Sequence, residues 1–533
     1  MTATPRVQNA RQRPPGQQRP PSPQRPPGQQ RPWWTLALVC TATFMLLLDV
    51  TVVAVALSSI QSDFHSDLSS LQWIVDGYTL PLAGLLLTAA TLGDRIGRRR
   101  IFLAGMALFT LGSLACALAW SPLVLALTRV VQGTGGALLF GVGLPLIAAA
   151  FPDPRDRATA IGAFGATLSA ATAVGPLLGG ALIDGPGWRW IFLINVPIGL
   201  AALVAGWLLL SRSRAVTARA ADWSGTVLLT TGLLALLFAL IRVGADGWSS
   251  PRVIALLATA AALLAGFVIR EASAAEPMLD LRLFRNAAFS GISLGAWAIS
   301  ASAVAATNYL GLYLVNTLGY GPFQGGLRFL PLTFASFIAA PVMARMADRV
   351  PARFSVGGSL ALAAIGLWLA GHLDGDSRWT ALVAGFIVAG VGLGASSATL
   401  SHAALSSVEH SRAGMATGAV NTMRQIGVAA GVAVLGVAFQ HHASGDMAHR
   451  LAGVALPHGN ASTITNAVGS GAGIRVADAA PPALRPALAA AARAATASAM
   501  NEVLMIGAVT AAIAAVVAVF VIRPPRAVEA SDE

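Results

Sequence analysis

The chain of 533 residues is 55 % apolar and only 11 % charged, and its mean hydropathy is +0.68. Soluble globular domains carry about 25 % charged residues, so this composition excludes a soluble protein and indicates an integral membrane protein. The net charge of +12 would suggest a nucleic-acid partner in a soluble protein. Here, loops that hold a membrane topology account for much of that charge, and we expect no nucleic-acid partner.

The first 33 residues form a tail rich in Pro, Gln and Arg. The octapeptide RPPGQQRP occurs at 13–20 and again at 25–32. Such a segment cannot bury a hydrophobic core, so residues 1–33 are predicted to be disordered. Arginines of the tail could contact anionic lipid and its prolines could offer a polyproline ligand, but a solvated tail is the simpler interpretation.

Fourteen apolar segments follow the tail, most of them long enough to cross a hydrocarbon core of about 30 Å as a helix. They predict an all-α protein with fourteen transmembrane helices. The segments lie at 34–60, 72–92, 100–120, 122–150, 158–183, 190–210, 224–243, 251–270, 287–316, 323–346, 354–372, 378–405, 414–439 and 499–522.

Arginines are distributed unequally between the two sides of these segments. The short loops on one side hold only Arg189, Arg242, Arg252 and Arg378, whereas most other arginines lie on the opposite side or in the tail. Because positive loops stay inside, both termini are predicted to be cytoplasmic. Residues 440–498 form the only long outer stretch. The absence of lysine and the abundance of alanine and glycine favour a bacterial chain, and hence a multi-pass protein of the bacterial plasma membrane.

A charged turn separates the second and third segments and contains Asp94, Arg95, Gly97 and Arg98. A turn this short between two apolar runs is typical of neighbouring transmembrane helices. The run ARMADRVPAR at 344–353 repeats its shape after the tenth segment, with Asp348 and Arg349 at the positions of Asp94 and Arg95. The repeat indicates two halves of related design, as in transporters built around a midplane site.

Asp49 and Arg129 are ionisable residues deep inside predicted spans. Each costs about 2.5–3.5 kcal/mol to insert, so each needs a partner or a function. Asp49 could exchange a proton, with Arg129 as its counter-ion. A permanent ion pair that only fixes two helices is the alternative, and both interpretations stay open from the residues alone.

Three further features of the spans each have two interpretations. Asp76, flanked by Trp73 and Tyr78, is either a cavity carboxylate for a cationic substrate or proton, or an interfacial residue close to water. Arg424 is either a functional membrane charge of the second half or a side chain that reaches the cytoplasm. The fifth segment contains a proline among small residues, which predicts a bent and closely packed helix. This helix either serves as a gate or only packs closely against its neighbours. The proline and the small residues are Gly175, Pro176, Gly179 and Gly180.

Other classes of site find little support. His441, His442, His449 and His458 lie close together in the sequence, but without cysteine partners or settled spacing they predict no metal site. The two cysteines lie in apolar runs and are expected to be small buried side chains. There is no phosphate-binding lysine loop and no hydrolase motif. We expect no cofactor, no enzymatic activity and no ATPase engine in this chain.

Several motifs resemble those of the major facilitator superfamily. The run LGDRIGRR at 92–99 is similar to its loop motif between helices two and three, with Ala90 in place of the leading glycine. That change is expected to weaken the close contact with helix eleven of the family. Arg129 with Gln132 and Gly133 resembles the fourth-helix motif tied to proton coupling, and the fifth-segment glycines resemble the antiporter motif. Asp49 resembles the first-helix acidic motif, although the usual NVALP ending reads AVALS at 54–58.

Four further runs resemble the drug:proton antiporter-2 family, the fourteen-helix multidrug exporters. They are DWSG at 222–225, WRWIFLINVPIG at 188–199, PMLDLRLF at 277–284 and NTMRQIG at 421–427. The resemblance implies the major facilitator fold, with two six-helix bundles and two additional central helices. The implied divisions are a bundle at 34–210, linking helices at 211–286, a bundle at 287–522 that includes the outer loop 440–498, and a cytoplasmic tail at 523–533.

The same resemblance implies a proton-coupled antiporter that exports an amphipathic drug or antibiotic, with cationic compounds as candidates. Its partners would be the small molecule, protons and the lipid bilayer, and it would act as a monomer. Asp49 and Arg129 would handle the proton, Asp76 would assist in the cavity, and Asp94 and Arg95 would latch the cytoplasmic side. A dedicated exporter of one endogenous antibiotic or metabolite is the closest alternative, and a non-transporting membrane scaffold or sensor is a remote one.

Overall fold

The computed structural model describes residues 32–522 apart from 67, 212–222, 275–278, 280, 347–348, 407, 409–412, 453–459, 471–481 and 483. The N-terminal tail up to residue 31, Asp348 and the C-terminal tail lie outside the described residues. Helices and short connections make up the described part of the chain, in which no strand is found.

The helices of the first part follow the predicted segments closely. Helices α1 to α10 are Pro32–Phe64, Leu68–Gly84, Leu86–Ile96, Arg98–Ala117, Pro122–Ala150, Pro154–Asp184, Trp190–Leu193, Asn195–Leu209, Trp223–Asp246 and Pro251–Ser273. Helices α2 and α3 meet at a bend of 47° and together occupy the second predicted segment.

Nine more helices lie among the described residues of the second part. Helices α11 to α19 are Ala287–Ile299, Ala305–Leu312, Pro322–Arg328, Leu330–Met346, Ala352–Ala370, Val383–Ser406, Ala413–Leu451, Asn460–Gly469 and Arg485–Val521. Two π-helical turns, Ser300–Val304 and Tyr313–Thr317, follow α11 and α12 within one predicted segment.

Each of the fourteen predicted segments contains helix. Among the described residues, eleven helices are long and apolar enough to cross a membrane, or twelve when the bent pair counts as one span. Helix α6 and the shorter α13 and α14 occupy the fifth and tenth segments. The all-α membrane architecture is thus confirmed, while fourteen crossings stay a prediction.

Local sequence explains several helix starts. Ser121 accepts a hydrogen bond from the Val124 backbone amide (3.3 Å) and is followed by a proline at the first position of α5. Asp153 accepts from two backbone amides at the start of α6, and Asn286 accepts from the Ala288 amide at the start of α11. Polar caps followed by proline are the usual signal for a helix N-terminus.

Two boundaries differ from the prediction. Most of the charged turn predicted between the second and third segments is helical, and only Gly97 separates α3 from α4. Gly97 has φ +115°, a conformation that favours glycine. On the predicted outer side, α17 continues to Leu451 and α19 begins at Arg485, so much of the 440–498 stretch is helical. The start of α19 is alanine-rich, and alanine is a good helix former even outside the apolar region, which explains that extension.

Helix α9 lies between the two parts of the molecule. On one side Thr88 and Thr230 share a hydrogen bond (2.9 Å), and the rings of Trp73 and Phe238 lie 5.5 Å apart. On the other side Leu240 and Val243 form an apolar cluster with Val253 of α10 and Ala433 of α17. The helix therefore contacts α2 and α3 from the first part and α17 from the second.

Candidate proton-coupling and gating site

Asp49 and Arg129 meet in the interior of the first part of the molecule. Asp49 comes from α1 and Arg129 from α5, and their side chains form an ion pair with each side chain only 1 % exposed. The Arg129 guanidinium also donates to the Ile74 carbonyl of α2 (3.3 Å) and lies 4.1 Å from the centre of the Tyr78 ring. The structure thus brings together the two charges that the sequence singled out.

Gln132, one turn after Arg129, links the pair to two other helices. Its Oε1 accepts from Arg129 (2.9 Å), while its Nε2 donates to Asp49 Oδ1 (2.8 Å) and to Ser113 Oγ of α4 (2.7 Å). Asn195 of α8 donates to the same Ser113 hydroxyl (3.3 Å). Five polar side chains from four helices therefore form one buried network.

The network has the donors that an ionised carboxylate requires. Both Asp49 oxygens accept a hydrogen bond, one from Arg129 and the other from Gln132. An ionised carboxylate only accepts, so the arrangement matches the charged form of Asp49. Protonation would weaken the pairing with Arg129 and turn one acceptor oxygen into a donor. Gain or loss of a proton at Asp49 must therefore change the contacts between α1 and α5.

Asp76, Trp73 and Tyr78, predicted together for a substrate cavity, are separated by the structure. Asp76 and Tyr78 are two positions apart, about 200° around α2, so they lie on nearly opposite faces. Tyr78 is fully buried, and its hydroxyl donates to the Leu46 carbonyl (3.1 Å). Trp73 is 46 % exposed and contacts Phe238 of α9. Tyr78 thus contacts the Asp49–Arg129 pair, and its place in a substrate cavity stays a prediction.

The charged turn carries an ion pair and a close helix contact. Arg98 binds Asp94 through Nε (2.9 Å) and Nη2 (2.8 Å), and its Nη1 donates to the Pro145 carbonyl of α5 (3.1 Å). Arg95 is partly buried next to this pair, and Gly97 is buried. Of the repeat in the second half, Arg349 is exposed.

The contact expected to weaken at Ala90 is compensated on the opposite helix. Ala90 faces Gly418 of α17, where a Cβ would lie 2.8 Å from the Ala90 Cβ and 3.0 Å from Leu87 Cδ1. The glycine that allows close approach is thus on α17 instead of α3. The expected weakening is not found, and α3 and α17 pack closely.

The glycines of the fifth segment face two different neighbours. Helix α6 runs without a break through Gly175 and Pro176, so no interruption marks the motif. A Cβ at Gly175 would overlap Thr51 of α1, and one at Gly179 would lie 3.2 Å from Val52. Gly180 instead faces Phe323 of α13, in the second part of the chain, at 3.4 Å. The motif therefore combines packing within the first part with a contact between the two parts.

Arg424 lies on the face of α17 that packs against α11. One turn further, a Cβ at Gly427 would crowd Ser300 (3.1 Å) and the Trp297 backbone. Arg424 is eleven residues from the start of the helix, about 16 Å along its axis, and is partly buried. Its Nε is enclosed without a hydrogen-bond partner among the described residues. This depth favours an interior position over a side chain that reaches the cytoplasm.

Gln132, Ser113 and Asn195 were assigned no separate role from the sequence. Gln132 and Asn195 lie inside motifs that were used for family resemblance, and Ser113 had no signal of its own. Uncharged polar residues are common in membrane helices, and only the packing of α4 against α5 and of α8 against α4 brings these three to the ion pair. Gln132 could have been identified from the sequence because it lies one helical turn from the intramembrane charge of Arg129.

Comparisons with known proteins agree with this architecture. The model of the Major Facilitator Superfamily matches residues 39–432. The crystal structure of the human organic anion transporter MFSD10 (TETRAN) is similar with a TM-score of 0.56 and 14 % identity, covering 91 % of this chain and all of that one. At that identity the likeness shows the fold alone.

Bacterial relatives are more similar in sequence. The tetracenomycin C resistance and export protein of Streptomyces glaucescens is 38 % identical over 76 % of this chain and 75 % of its own length. The multidrug resistance protein Stp of Mycobacterium tuberculosis is 38 % identical over 74 % and 73 %. The methylenomycin A resistance protein of Streptomyces coelicolor is 36 % identical over 77 % and 86 %. The chain belongs to the Major Facilitator Superfamily, and these relatives are consistent with its drug:proton antiporter-2 branch.

Proposed function

We propose that this protein exports amphipathic small molecules, antibiotics among them, across a bacterial plasma membrane in exchange for protons. The observation that carries the proposal is the buried pair of Asp49 and Arg129, in which Gln132 completes the hydrogen bonding of the carboxylate. A group that only fixed two helices would not need a charge in this position, because well-packed apolar residues often stabilise as well as a buried ion pair.

In the proposed cycle, Asp49 takes up a proton from the outer side and separates from Arg129. The change loosens α1 against α5 and allows the two bundles to rock about the central cavity. The contact between Ala90 and Gly418, with the ion pair of Asp94 and Arg98 beside it, would hold the predicted cytoplasmic side closed in the conformation described here. Opening that side would separate α3 from α17 and allow the substrate to enter.

The topology belongs to the same proposal. Both termini would be cytoplasmic, helices α9 and α10 would be the additional pair between two six-helix bundles, and the protein would act as a monomer. Asp76, buried on α2 near α9, would assist in the cavity, and Arg424 would provide the charge of the second bundle.

Efflux in everted membrane vesicles tests the proposal. A compound that becomes toxic when the gene is deleted should be taken up by vesicles with wild-type protein when a pH gradient is imposed. The protonophore-sensitive uptake should be lost with Asp49→Asn, while Asp376→Asn, an exposed loop carboxylate, should keep it. Uptake by Asp49→Asn that still depends on the pH gradient would remove Asp49 from proton coupling.

Export of one endogenous antibiotic is the second candidate, because two of the relatives are named for tetracenomycin C and for methylenomycin A. A panel of chemically unrelated toxic compounds in a pump-deficient host separates the two candidates. Resistance to a single structural class would indicate a dedicated exporter, and resistance to several classes a broad one.

A further inference from the structure

A groove opens where α17 and α19, at the predicted outer ends of their apolar segments, meet the connection between α9 and α10. It has a volume of about 350 Å³ and is lined by Trp248, Val434, Val437, His441, His442 and Glu502. None of these residues belongs to the Asp49–Arg129 network or to the charged turn. The groove lies at the predicted outer end of the bundle, where an exported molecule would leave.

Glu502 is the one fixed charge of the lining residues. It is exposed at the middle of α19, close to the predicted outer end of the span at 499–522, and no salt bridge to it is present among the described residues. The other acidic groups on the helices around the groove already have partners. Asp246 of α9 binds Arg242 (2.9 Å) and Arg252 (3.5 Å), and Asp446 of α17 binds Arg450 (3.0 Å). The carboxylate of Glu502 therefore leaves the groove negatively charged.

The remaining lining groups suit the apolar body of an amphipathic molecule. The indole of Trp248 is 44 % exposed, and an aromatic face attracts organic cations. Val434 and Val437 form an apolar wall on α17. His442 is held by Ser498 of α19, with Nε2 and Oγ 3.0 Å apart. An ionisable residue kept within a span is a candidate functional group, and here its surroundings match a cation with an apolar body.

We propose that this groove is a second binding site, which takes an amphipathic organic monocation with Glu502 as its counter-ion and Trp248 as its aromatic wall. The inference rests on the proposed export function for its biological meaning, because the site would receive the molecule before release. The binding itself requires no transport and is measured separately.

Binding of tetraphenylphosphonium to purified protein in nanodiscs tests the site. We expect Glu502→Gln to weaken binding about fivefold, the upper end for a partly exposed ion pair, and Trp248→Ala to weaken it about two- to fivefold. Trp248→Phe keeps an aromatic face and should retain most of the affinity. Asp376→Asn, an exposed carboxylate elsewhere on the outer side, is the matched control and should bind like wild type.

A further arm separates this inference from the proposed function. Asp49→Asn should lose proton-coupled transport but keep the part of tetraphenylphosphonium binding that depends on Glu502. Equal affinity of wild type, Glu502→Gln and Trp248→Ala would overturn the site, whether or not the protein transports protons.

Discussion

At the scale of single residues, the network around Asp49 has no unpaired oxygen on its carboxylate. Arg129 supplies the charge, but Gln132 decides how the carboxylate is oriented, because it binds Arg129, Asp49 and Ser113 at once. A buried acceptor that loses its donor costs about 1–3 kcal/mol. The amide is therefore expected to matter for stability as well as for the pairing of the charges.

Replacing Gln132 by Ala tests this role. It leaves Asp49 Oδ1 without its donor, and we expect the thermal midpoint in detergent to fall by several degrees, with a loss of transport. Ser113→Ala is the matched control, since it removes an acceptor of the same amide and leaves Asp49 fully paired. If the two variants had equal midpoints and equal transport, Gln132 would have no special function in the network.

Asp63 forms a separate polar cluster near the C-terminal end of α1, beyond the apolar span. Arg189 (2.9 Å) and the Trp188 indole (3.1 Å) both donate to its Oδ2, and these hydrogen bonds hold the pKa of Asp63 below its usual range. A lowered carboxylate pKa stabilises the folded state above the unfolded pKa of about 3.9, and the contribution disappears as the pH falls through the folded value.

Thermal unfolding between pH 3 and 7 checks the sign. Asp63→Asn should unfold at a slightly lower temperature than wild type at pH 7, and the difference should shrink as the pH falls below 4. The effect should be small because the side chain is 43 % exposed. A difference that grew with acidification would contradict the assigned direction.

At the scale of helices, the sequence predicted the existence of the elements better than their contacts. Apolar length identified every segment, because a span needs about 20 apolar residues. It gave no hint that α17 extends to Leu451, since residues 440–451 are mostly polar, nor that α2 bends into α3. The pairing of Asp49 with Arg129 was predictable because isolated charges in a membrane need partners. The position of Glu502 was missed because one acidic residue near the end of a span resembles an ordinary boundary.

Contacts between helices also explain why α3 and α17 pack closely in spite of Ala90. The close contact leaves room for one methyl group between α3 and α17. The Ala90 side chain fills this space, and Gly418 leaves it open because it has no side chain. Exchanging the two residues, Ala90→Gly with Gly418→Ala, should therefore preserve packing and transport. Gly418→Leu should force the helices apart, because even its Cβ would lie 2.8 Å from the Ala90 Cβ.

Spin labels on the exposed positions Arg100→Cys and Arg349→Cys measure the distance between the two parts of the molecule across the predicted cytoplasmic side. In a background without the native cysteines, Gly418→Leu should shift the distance distribution to longer values and reduce transport. The exchanged pair should match the unmodified background. An unchanged distribution in Gly418→Leu would mean that α3 and α17 do not control closure.

At the scale of the whole molecule, the two parts of the chain meet through small residues. Gly418 faces Ala90 near the charged turn, Gly162 faces Pro341 and Ala344, and Gly180 faces Phe323. Small residues allow close approach without fixed hydrogen bonds, which suits surfaces that separate and rejoin. The Asp49–Arg129 network lies within the first part, and α1 also packs against α6, which contacts the second part. Under the proposed function, a proton at Asp49 would act on these surfaces through α1 and its contact with α6.

The central claim is that a proton on Asp49 is exchanged for the exported molecule. Proton flux in proteoliposomes that contain only the purified protein tests it most directly, with a compound to which deletion of the gene sensitises the host. A gradient of the compound alone should drive protons in the opposite direction through wild type. Asp49→Asn should carry no such flux while remaining folded. Compound-driven proton flux of wild-type size through Asp49→Asn would contradict the account.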